Sequence, residues 1–379
     1  MMTKIATITF HGAHNFGSVL QTYALQEFVN GLYRSCNKSC EYYVINFRTE
    51  FQKNFYSIYK PWKNPRNVLK NFVAFNYSKK LKQKQTKFED FLNEYINLTD
   101  EVKNSEEIKK ICEKFDFYIS GSDQIWNVRA ADFEDEYYLN FVKSGKKISY
   151  AVSMGPLDIE WNKYGKQKYR NLINSYDNIS VREIGTAQKV KFLTGSEPEI
   201  NVDPTFLLTK KEWQNIESDA NYNNGKYILL YCLEPSKEQL DMAKAISKKL
   251  GLPILVTRYN NKNDIINGFV KKYDSGPLDF LSYIDNAALV LSSSFHGTAF
   301  SMVYNKPFYV FNGMKDSRIS SILKIANIED RTIESYGDIE RVTLDDVDFT
   351  SINKIIKKEQ EKSRKYLMNA LEISEENYD

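Results

Sequence analysis

One stretch decides the fold of this chain: Leu289-Val290-Leu291-Ser292-Ser293-Ser294-Phe295-His296-Gly297-Thr298-Ala299-Phe300-Ser301. The apolar run predicts a buried strand, the serines and glycine predict a tight turn, and the amphipathic residues after them predict a helix start. The first N–H groups of a helix lack intrahelical partners and favour negative charge, so such a turn can hold an anion. His296 adds a group that can carry a proton near neutral pH. The alternative is that the serines only cap the helix and His296 is a hydrogen-bonded turn residue.

Strand and helix signals alternate on both sides of this stretch. In the second part of the chain we predict strands at 227–233, 253–257 and 307–311, and helices at 236–250, 277–286 and 351–373. In the first part we predict strands at 4–10, 42–47, 115–120, 147–152 and 178–183, and helices that begin at Ser18 and that span 105–114 and 160–176. Residues 200–203 end this part, and Asp203-Pro204-Thr205 is a turn. Such alternation is typical of parallel sheets. The fold class is therefore α/β, with two Rossmann-like doubly wound domains.

Length and composition set the boundaries. A chain of 379 residues exceeds the ~250–300 that one hydrophobic core usually covers, and a polar Asn/Gly linker at 221–225 divides it. We therefore expect domains at 1–220 and 221–379, with the last helix packing back on the first domain. No apolar run reaches the ~18 residues of a membrane span, and a strand starts almost at residue 1, so we expect a cytoplasmic protein. The four cysteines lack the paired spacing of a zinc site, so we expect free thiols and no metal.

Residues 51–88 form a basic aromatic insertion in the expected first domain. They hold ten Lys or Arg and no acidic residue, which leaves 3 − 10 = −7 for the rest of the chain. Nine aromatic residues are interleaved with these cations: Phe51, Phe55, Tyr56, Tyr59, Trp62, Phe72, Phe75, Tyr77 and Phe88. This composition suits nucleic acid, an anionic glycan or the membrane interface. A solvated helical insertion is the default, since charge runs usually face solvent.

Polar residues also follow the predicted strands of the first domain. Gly121-Ser122-Asp123-Gln124 comes directly after one strand, and Arg182-Glu183 ends another. In open α/β sheets ligands bind at the carboxyl ends of the strands. Arg182 can hold a carboxylate or phosphate with its planar guanidinium, or it can form an ion pair with Glu183. The first turn, 11–17, lacks both the G-x-G-x-x-G dinucleotide fingerprint and the phosphate loop, so neither a nicotinamide cofactor nor a P-loop nucleotide is indicated.

Five motifs together carry a family resemblance. They are Asn15-Phe16-Gly17-Ser18, Gly121-Ser122-Asp123-Gln124-Ile125-Trp126-Asn127, Ser180-Val181-Arg182-Glu183, Asp203-Pro204-Thr205 and Ser294-Phe295-His296-Gly297-Thr298. In this order, across roughly residues 4–330, they resemble the polysaccharide pyruvyl transferase family. The resemblance implies a fold like the two-domain GT-B glycosyltransferases, with the domains facing a central cleft. It implies transfer of pyruvate from phosphoenolpyruvate to a hexose diol of a surface-polysaccharide precursor, giving a cyclic ketal.

The chemistry of that reaction assigns roles to residues. Ketal formation moves protons, and the candidate catalytic residues are His296, Arg182 as the clamp on the donor, and Asp123. The candidate substrate-binding residues lie on the same turns: Asn15, Gly17, Ser122, Gln124, Ser294, Phe295, Gly297, Arg318 and His14. Many relatives have Arg-Leu-His-Gly where this chain has Ser294-Phe295-His296-Gly297, and Arg318 or Lys306 could replace the missing cation. His11 and His14, on the first turn, are weaker candidates for moving protons.

The resemblance also implies partners. Phosphoenolpyruvate serves as co-substrate without a further cofactor or metal. The acceptor glycan is often carried on a polyprenyl diphosphate. Together with the basic insertion, this predicts peripheral association at the inner face of the membrane. We expect no nucleic acid as a partner. Two other functions stay open. One is a sugar-nucleotide-dependent GT-B-type glycosyltransferase, in which His296 would meet the diphosphate, and the other is a non-catalytic glycan-assembly partner.

Overall fold

The computed structural model describes residues 2–59, 67–68, 71, 74–111, 114–259, 268–345 and 347–374. The strands, in chain order, are β1 Thr3–Ile8, β2 Cys40–Val44, β3 Phe117–Asp123, β4 Lys146–Val152, β5 Asn178–Val181, β6 Glu199–Ile200, β7 Ile228–Tyr231, β8 Ile254–Val256, β9 Val270–Lys271, β10 Leu289–Ser292, β11 Phe308–Phe311 and β12 Thr332–Ile333. The helices are α1 Phe16–Ser35, α2 Glu50–Tyr56, α3 Ser78–Tyr95, α4 Ser105–Ile111, α5 Trp161–Tyr164, α6 Lys166–Asn174, α7 Ile184–Thr194, α8 Lys210–Gln214, α9 Lys237–Leu250, α10 Pro277–Asp285, α11 Phe295–Val303, α12 Ser317–Ala326 and α13 Phe349–Ala370.

The chain forms two compact units. The first contains residues 1–56, 92–208 and 357–379, and the second contains 57–91 and 209–356. Each unit has a six-stranded sheet in which the pairs of neighbouring strands are parallel. The prediction of two α/β Rossmann-like domains is confirmed.

The first sheet has the order β2-β1-β3-β4-β5-β6. The chain turns outward in opposite directions from β1 and β3, so the crevice for a ligand lies at the carboxyl ends of these two strands. Buried strands of a parallel sheet are nearly continuous apolar runs, yet β3 ends in Ser120-Gly121-Ser122-Asp123 with every residue buried. The four polar or small residues at the buried end of this central strand therefore make the crevice a candidate ligand site.

The second sheet has the order β12-β11-β10-β7-β8-β9. Its crevice lies between the carboxyl ends of β7 and β10, which pair from Leu289↔Ile228 to Ser292↔Tyr231. The deciding stretch occupies this place, since β10 ends at Ser292 and α11 begins at Phe295. The predicted strand, turn and helix are thus confirmed at the topological switch point of the second unit.

The unit boundaries differ from the expected division at residue 220. Residues 57–91 belong to the second unit rather than the first, because α3 contacts the ends of β8 and β9 through Lys80 and Lys84. Residues 357–379 belong to the first unit, as expected of the last helix. There the Tyr366 hydroxyl donates to the carbonyl of Ser149 at 2.8 Å, and the Val202 amide donates to Ser363 Oγ at 3.2 Å.

One predicted helix contains a break. The helix predicted over 160–176 is two helices, α5 and α6, separated by Gly165 with φ of 93°. Only glycine adopts this left-handed conformation without strain, so the chain turns there. Trp62, Phe72 and Cys112 lie outside the described residues. Of the helices in the described parts of the chain, none has the length and apolar character to cross a membrane.

Candidate functional site

The crevice of the first unit is built from the start of α1 and the end of β3. Asn15 caps α1, and its side chain accepts the amide of Gly17 at 3.0 Å. One turn on, Ser18 Oγ donates to Asp123 Oδ2 at 2.8 Å. The cap therefore fixes the start of the helix so that its first turn faces the carboxylate of Asp123.

Gln21 and Thr9 connect α1, β1 and β3 around the same crevice. The Ser122 amide donates to Gln21 Oε1 at 3.1 Å, and Gln21 Nε2 donates to Thr9 Oγ1 at 2.9 Å. Thr9 Oγ1 in turn donates to the carbonyl of Ser122 at 3.1 Å. All three residues are buried. A buried polar network that is satisfied in this way holds one geometry, so the residues of β3 are fixed in place.

Asp123 has an unusual backbone. Its φ is 71°, in the left-handed region, where non-glycine residues cost free energy and cluster at functional sites. The Gln124 amide donates to Asp123 Oδ1 at 2.8 Å, so the two oxygens of the carboxylate have different donors. The predicted residues Ser122, Asp123 and Gln124 are thus brought together with the start of α1.

Arg182 lies at the end of β5 among three carboxylates. Its Nη1 is 2.6 Å from Asp203 Oδ2, its Nε is 3.5 Å from Glu183 Oε2, and its Nη2 is 3.7 Å from Asp123 Oδ1. Burial by itself would lower the pKa of the guanidinium, but Asp203, Glu183 and Asp123 outweigh it and raise that pKa above its usual value. The side chain of Arg182 is 2% exposed.

Arg182 forms the ion pair with Glu183 that was the alternative to ligand binding, and it contacts two further carboxylates. The pair with Glu183 is present, and the shortest contact is to Asp203, a residue of the Asp203-Pro204-Thr205 motif. Ser122 Oγ is 3.5 Å from the same oxygen of Asp203. One guanidinium among three carboxylates gives a formal charge of −2. Because Arg182 contacts both Asp123 and Asp203, it holds these two carboxylates in position. Its role as the donor clamp stays a prediction.

The two histidines of the first turn differ in burial. His11 is fully buried, with Nδ1 3.2 Å from the carbonyl of Thr9 and Nε2 3.0 Å from Asn46 Oδ1. It therefore ties the turn to the segment after β2. His14 is half-buried on the same turn.

The crevice of the second unit is organised by Ser292. Its Oγ accepts the amide of Ser294 at 2.9 Å and lies 3.0 Å from the carbonyl of Tyr231 on the neighbouring strand. Ser294 is the N-cap residue by position, but its side chain makes no capping bond. A Cβ on Gly297 would lie 2.2 Å from Ser292 Oγ, so the helix can approach the strand end only because residue 297 is glycine.

His296 and Phe295 occupy the first turn of α11. Both are buried, and their rings meet edge to face with centroids 5.4 Å apart. The predicted residues Ser294, Phe295, His296 and Gly297 therefore form one compact turn at the carboxyl end of β10.

The two cations proposed to serve this turn have different positions. Arg318 lies in the first turn of α12, which follows β11 at the same edge of the sheet, and its guanidinium contacts both carboxylate oxygens of Asp316. Lys306 precedes β11, at the amino edge, because the register pairs Val290 with Phe308, and its Nζ is 3.4 Å from Asp285. Arg318 therefore stays a candidate, and Lys306 cannot serve the turn.

The sequence motifs did not identify every residue of these sites. Gln21 and Thr9 were missed, and the signal was three inward polar residues on the first turns of α1: Ser18, Gln21 and Thr22. Within the described ranges, no group of three or more His, Cys, Asp or Glu side chains is placed to hold a metal ion.

Comparison with known proteins adds a family and a fold. The sequence model of the polysaccharide pyruvyl transferase family matches residues 15–313. No protein of curated function matches the chain.

Solved structures share the fold at low identity. One is a protein assigned as UDP-N-acetylglucosamine 2-epimerase from Listeria monocytogenes, with TM-score 0.52, 10% identity and coverage of 100% of this chain and 98% of that one. Another is S. aureus MnaA with UDP, with TM-score 0.51, 12% identity and coverage of 98% and 95%. A third is Arabidopsis thaliana UGT89C1 with UDP-L-rhamnose, with TM-score 0.50, 10% identity and coverage of 97% and 98%. These are epimerases and GT-B glycosyltransferases, so the fold is the two-domain Rossmann-like fold that they share.

Proposed function

The chain belongs to the polysaccharide pyruvyl transferase family, and on that premise we propose that it transfers pyruvate from phosphoenolpyruvate to two hydroxyls of a hexose. The acceptor is part of a surface-polysaccharide precursor, and the product is a cyclic ketal. The observation that carries the proposal is the family match across residues 15–313, because the five motifs inside it supply the side chains at the carboxyl edges of both sheets.

The proposed reaction balances without an oxidant or reductant. One sugar hydroxyl adds its oxygen to C2 of phosphoenolpyruvate while C3 gains a proton, which replaces the double bond with two single bonds. The C2–O bond to phosphate then breaks, and phosphate leaves with the electron pair. The second hydroxyl adds to C2 and loses its proton. The net products are the ketal and one inorganic phosphate.

We assign roles from the described contacts. His296, buried on the first turn of α11, carries the proton for C3, since histidine is the commonest general acid and base in enzymes. Asp123 accepts a proton from the sugar hydroxyl and is oriented by Ser18 and Arg182. The first N–H groups of α11 hold an anionic group of the donor, with Arg318 as the nearby cation on α12.

The decisive experiment supplies both donors. The purified protein is incubated with phosphoenolpyruvate and a panel of lipid-linked and nucleotide-linked sugars, and products are followed by mass spectrometry and phosphate release. We expect one ketal-linked pyruvate on the acceptor for each phosphate released. Consumption of a sugar nucleotide with phosphoenolpyruvate untouched would favour the glycosyltransferase instead. Failure to consume either donor across the panel would favour the non-catalytic partner.

We further propose that the protein works at the inner, cytoplasmic face of the membrane. On α2, Phe51 is 53% and Phe55 is 44% exposed, and their rings stack with centroids 5.9 Å apart. Exposed rings of this kind can enter the headgroup region. We expect sedimentation with anionic liposomes at low salt, weakened by Phe51→Ser with Phe55→Ser. Equal sedimentation of this double variant would remove the membrane role.

A further inference from the structure

Four cations and three tyrosines lie together at the carboxyl ends of β8 and β9. We call them the basic–tyrosine cluster: Lys80, Lys84, Arg258, Lys271, Tyr77, Tyr259 and Tyr273. All of them belong to the second unit. The roles assigned above use none of them.

Two lysines of α3 reach the strand ends. Lys80 Nζ donates to the carbonyl of Lys271 at 3.1 Å, and Lys84 Nζ donates to the carbonyl of Thr257 at 3.4 Å. The register pairs Val256 with Lys271, so these two carbonyls lie on adjacent strands. Lys80 and Lys84 are one helical turn apart, about 6 Å along the axis. The two ammonium groups therefore lie side by side over the carboxyl edge of the sheet.

The charges are concentrated enough to affect one another. Burial lowers the pKa of Lys84 to about 7, and the positive charge of Arg258, which follows Thr257, acts in the same direction. The charged form of the Lys84 amine is therefore less favourable in the folded protein than in water. Titratable groups perturbed by both burial and a like charge are frequent at ligand sites, because the ligand supplies the missing counter-charge.

The three tyrosines pack against one another beside the cations, with tilted or edge-to-face rings. Ring centroids are 5.5 Å apart for Tyr77 and Tyr259, 5.2 Å for Tyr77 and Tyr273, and 5.4 Å for Tyr259 and Tyr273. Lys271 Nζ is 3.3 Å from the Tyr77 hydroxyl and 5.6 Å from the centre of its ring. Such aromatic faces suit a base, a sugar ring or a prenyl chain adjoining an anion.

A small cavity of about 40 Å³ lies between the edge of the cluster and the end of β7. Arg258 and Tyr273 line it on the side of β8 and β9, and Cys232 lines it at the end of β7. Cys232 also neighbours Ser293, whose amide lies 3.3 Å from the carbonyl of Tyr231. The cluster and the Ser294–Gly297 turn therefore lie at the same edge of the second sheet, on either side of β7.

We propose that the basic–tyrosine cluster binds the diphosphate of the molecule that carries the acceptor sugar. This rests on the proposed function. A diphosphate fits better than a single carboxylate because the cations are spread over two adjacent strand ends and a full turn of α3. A nucleoside diphosphate and a polyprenyl diphosphate present the same anion, and they differ in the group that would meet the tyrosines.

The competing account is that Lys80 and Lys84 only fasten α3 to the sheet by bonding two carbonyls. Glutamine removes the charge and keeps an N–H donor on a side chain one bond shorter, so Lys80→Gln and Lys84→Gln separate the two accounts in variants that a thermal melt shows to be folded. Lys79 and Lys82 lie on the same helix and are exposed, which makes Lys79→Gln and Lys82→Gln matched controls. Lys84→Arg keeps the charge if Lys84→Gln folds poorly.

The first arm measures binding of UDP and of inorganic pyrophosphate to the full-length protein by calorimetry, without phosphoenolpyruvate. We expect Lys80→Gln and Lys84→Gln each to weaken binding about tenfold, as loss of a charge-assisted bond implies, and the controls to stay within about twofold. Unchanged affinity in folded Lys80→Gln and Lys84→Gln, or equal losses in the controls, would overturn the proposal. The proposal would also be overturned if neither UDP nor pyrophosphate bound detectably and if wild type and Lys84→Gln captured polyprenyl diphosphate equally well.

The second arm identifies the carrier. Neutral vesicles with and without polyprenyl diphosphate are sedimented with wild type and Lys84→Gln, and capture that depends on both the lipid and Lys84 assigns the lipid-linked source. UDP binding without such capture assigns the nucleotide. Neither arm uses phosphoenolpyruvate, so a failure of pyruvyl transfer would not change these binding results. If pyruvyl transfer occurs but Lys80→Gln and Lys84→Gln do not change diphosphate binding, only the proposal of this site is refuted.

Discussion

The carboxyl edges of the two sheets carry opposite charge. In the first unit Arg182 lies among Asp123, Glu183 and Asp203, which leaves a formal charge of −2 in a buried network. In the second unit Lys80, Lys84 and Arg258 lie at the carboxyl ends of β8 and β9, and β7 separates these strands from β10, which leads into the His296 turn. Two sheets of similar topology thus differ in chemistry: one edge suits proton transfer from hydroxyls, and the other suits anions.

The largest effect should come from His296. We expect His296→Ala to lower kcat for pyruvyl transfer by about 10²–10⁴-fold, the usual contribution of a proton-transfer residue. Steady-state kinetics with phosphoenolpyruvate measures this, and His296→Gln, with a thermal melt of both variants, separates chemistry from lost packing. A folded variant with wild-type kcat would remove His296 from the mechanism and make the second edge an anion site only.

Arg182 tests whether the acidic edge depends on one cation. Removing one partner of a buried ion pair usually costs about 3–5 kcal/mol, so Arg182→Gln should lower the free energy of unfolding by that order. Urea unfolding measures this loss, and the exposed Arg170→Gln is the control, expected within about 0.5 kcal/mol. A loss no larger than the control would show that the network is not held by Arg182.

Gly297 tests how closely α11 must approach β10. A methyl group at this position meets Ser292 Oγ and the ring of Tyr231, so Gly297→Ala should cost about 1–3 kcal/mol of stability and displace the His296 turn. Gly337→Ala is a suitable control, because its nearest neighbour would be 3.6 Å away. Chemical denaturation together with kcat checks both effects. Wild-type stability and turnover in Gly297→Ala would mean that the turn can shift without loss.

The smallest effect should come from Lys84, and its sign is informative. The folded-state pKa of Lys84, about 7, lies below the ordinary value of a lysine, so the unfolded chain binds more protons between these values. Its contribution therefore lowers stability at neutral pH, and this penalty disappears as the pH rises towards ~10. Lys84→Met should raise Tm by a few degrees at pH 6–7 and less at pH 9, which scanning calorimetry at each pH can follow. Lys82→Met should leave Tm unchanged, and a lower Tm for Lys84→Met at pH 7 would mean that its bond to Thr257 matters more than its charge.

Local sequence signals predicted the strand–turn–helix units but not their surroundings. The 289–301 stretch was read correctly because apolar residues, hydroxyls and glycine follow one another within thirteen positions. His11 bonds to Asn46, and Arg182 pairs with Asp203 and Asp123, and none of these partners is a sequence neighbour. Likewise, the lowered pKa of Lys84 arises only because α3 packs against a strand end about 170 positions later. Tertiary contacts of this kind leave no periodic signal.

The arrangement of the chain in the first unit sets the order in which that unit can be completed. Its segments are 1–56, 92–208 and 357–379, and the last of them supplies Tyr366 and Ser363 to the carbonyl of Ser149 and the amide of Val202. A ribosome makes residues 209–356 before this segment, so the nascent first sheet must wait, with these groups uncovered, while the second unit emerges and can fold. The N-terminal unit is therefore finished last. We therefore expect this topology to affect the need for chaperones during synthesis more than the stability of the folded protein.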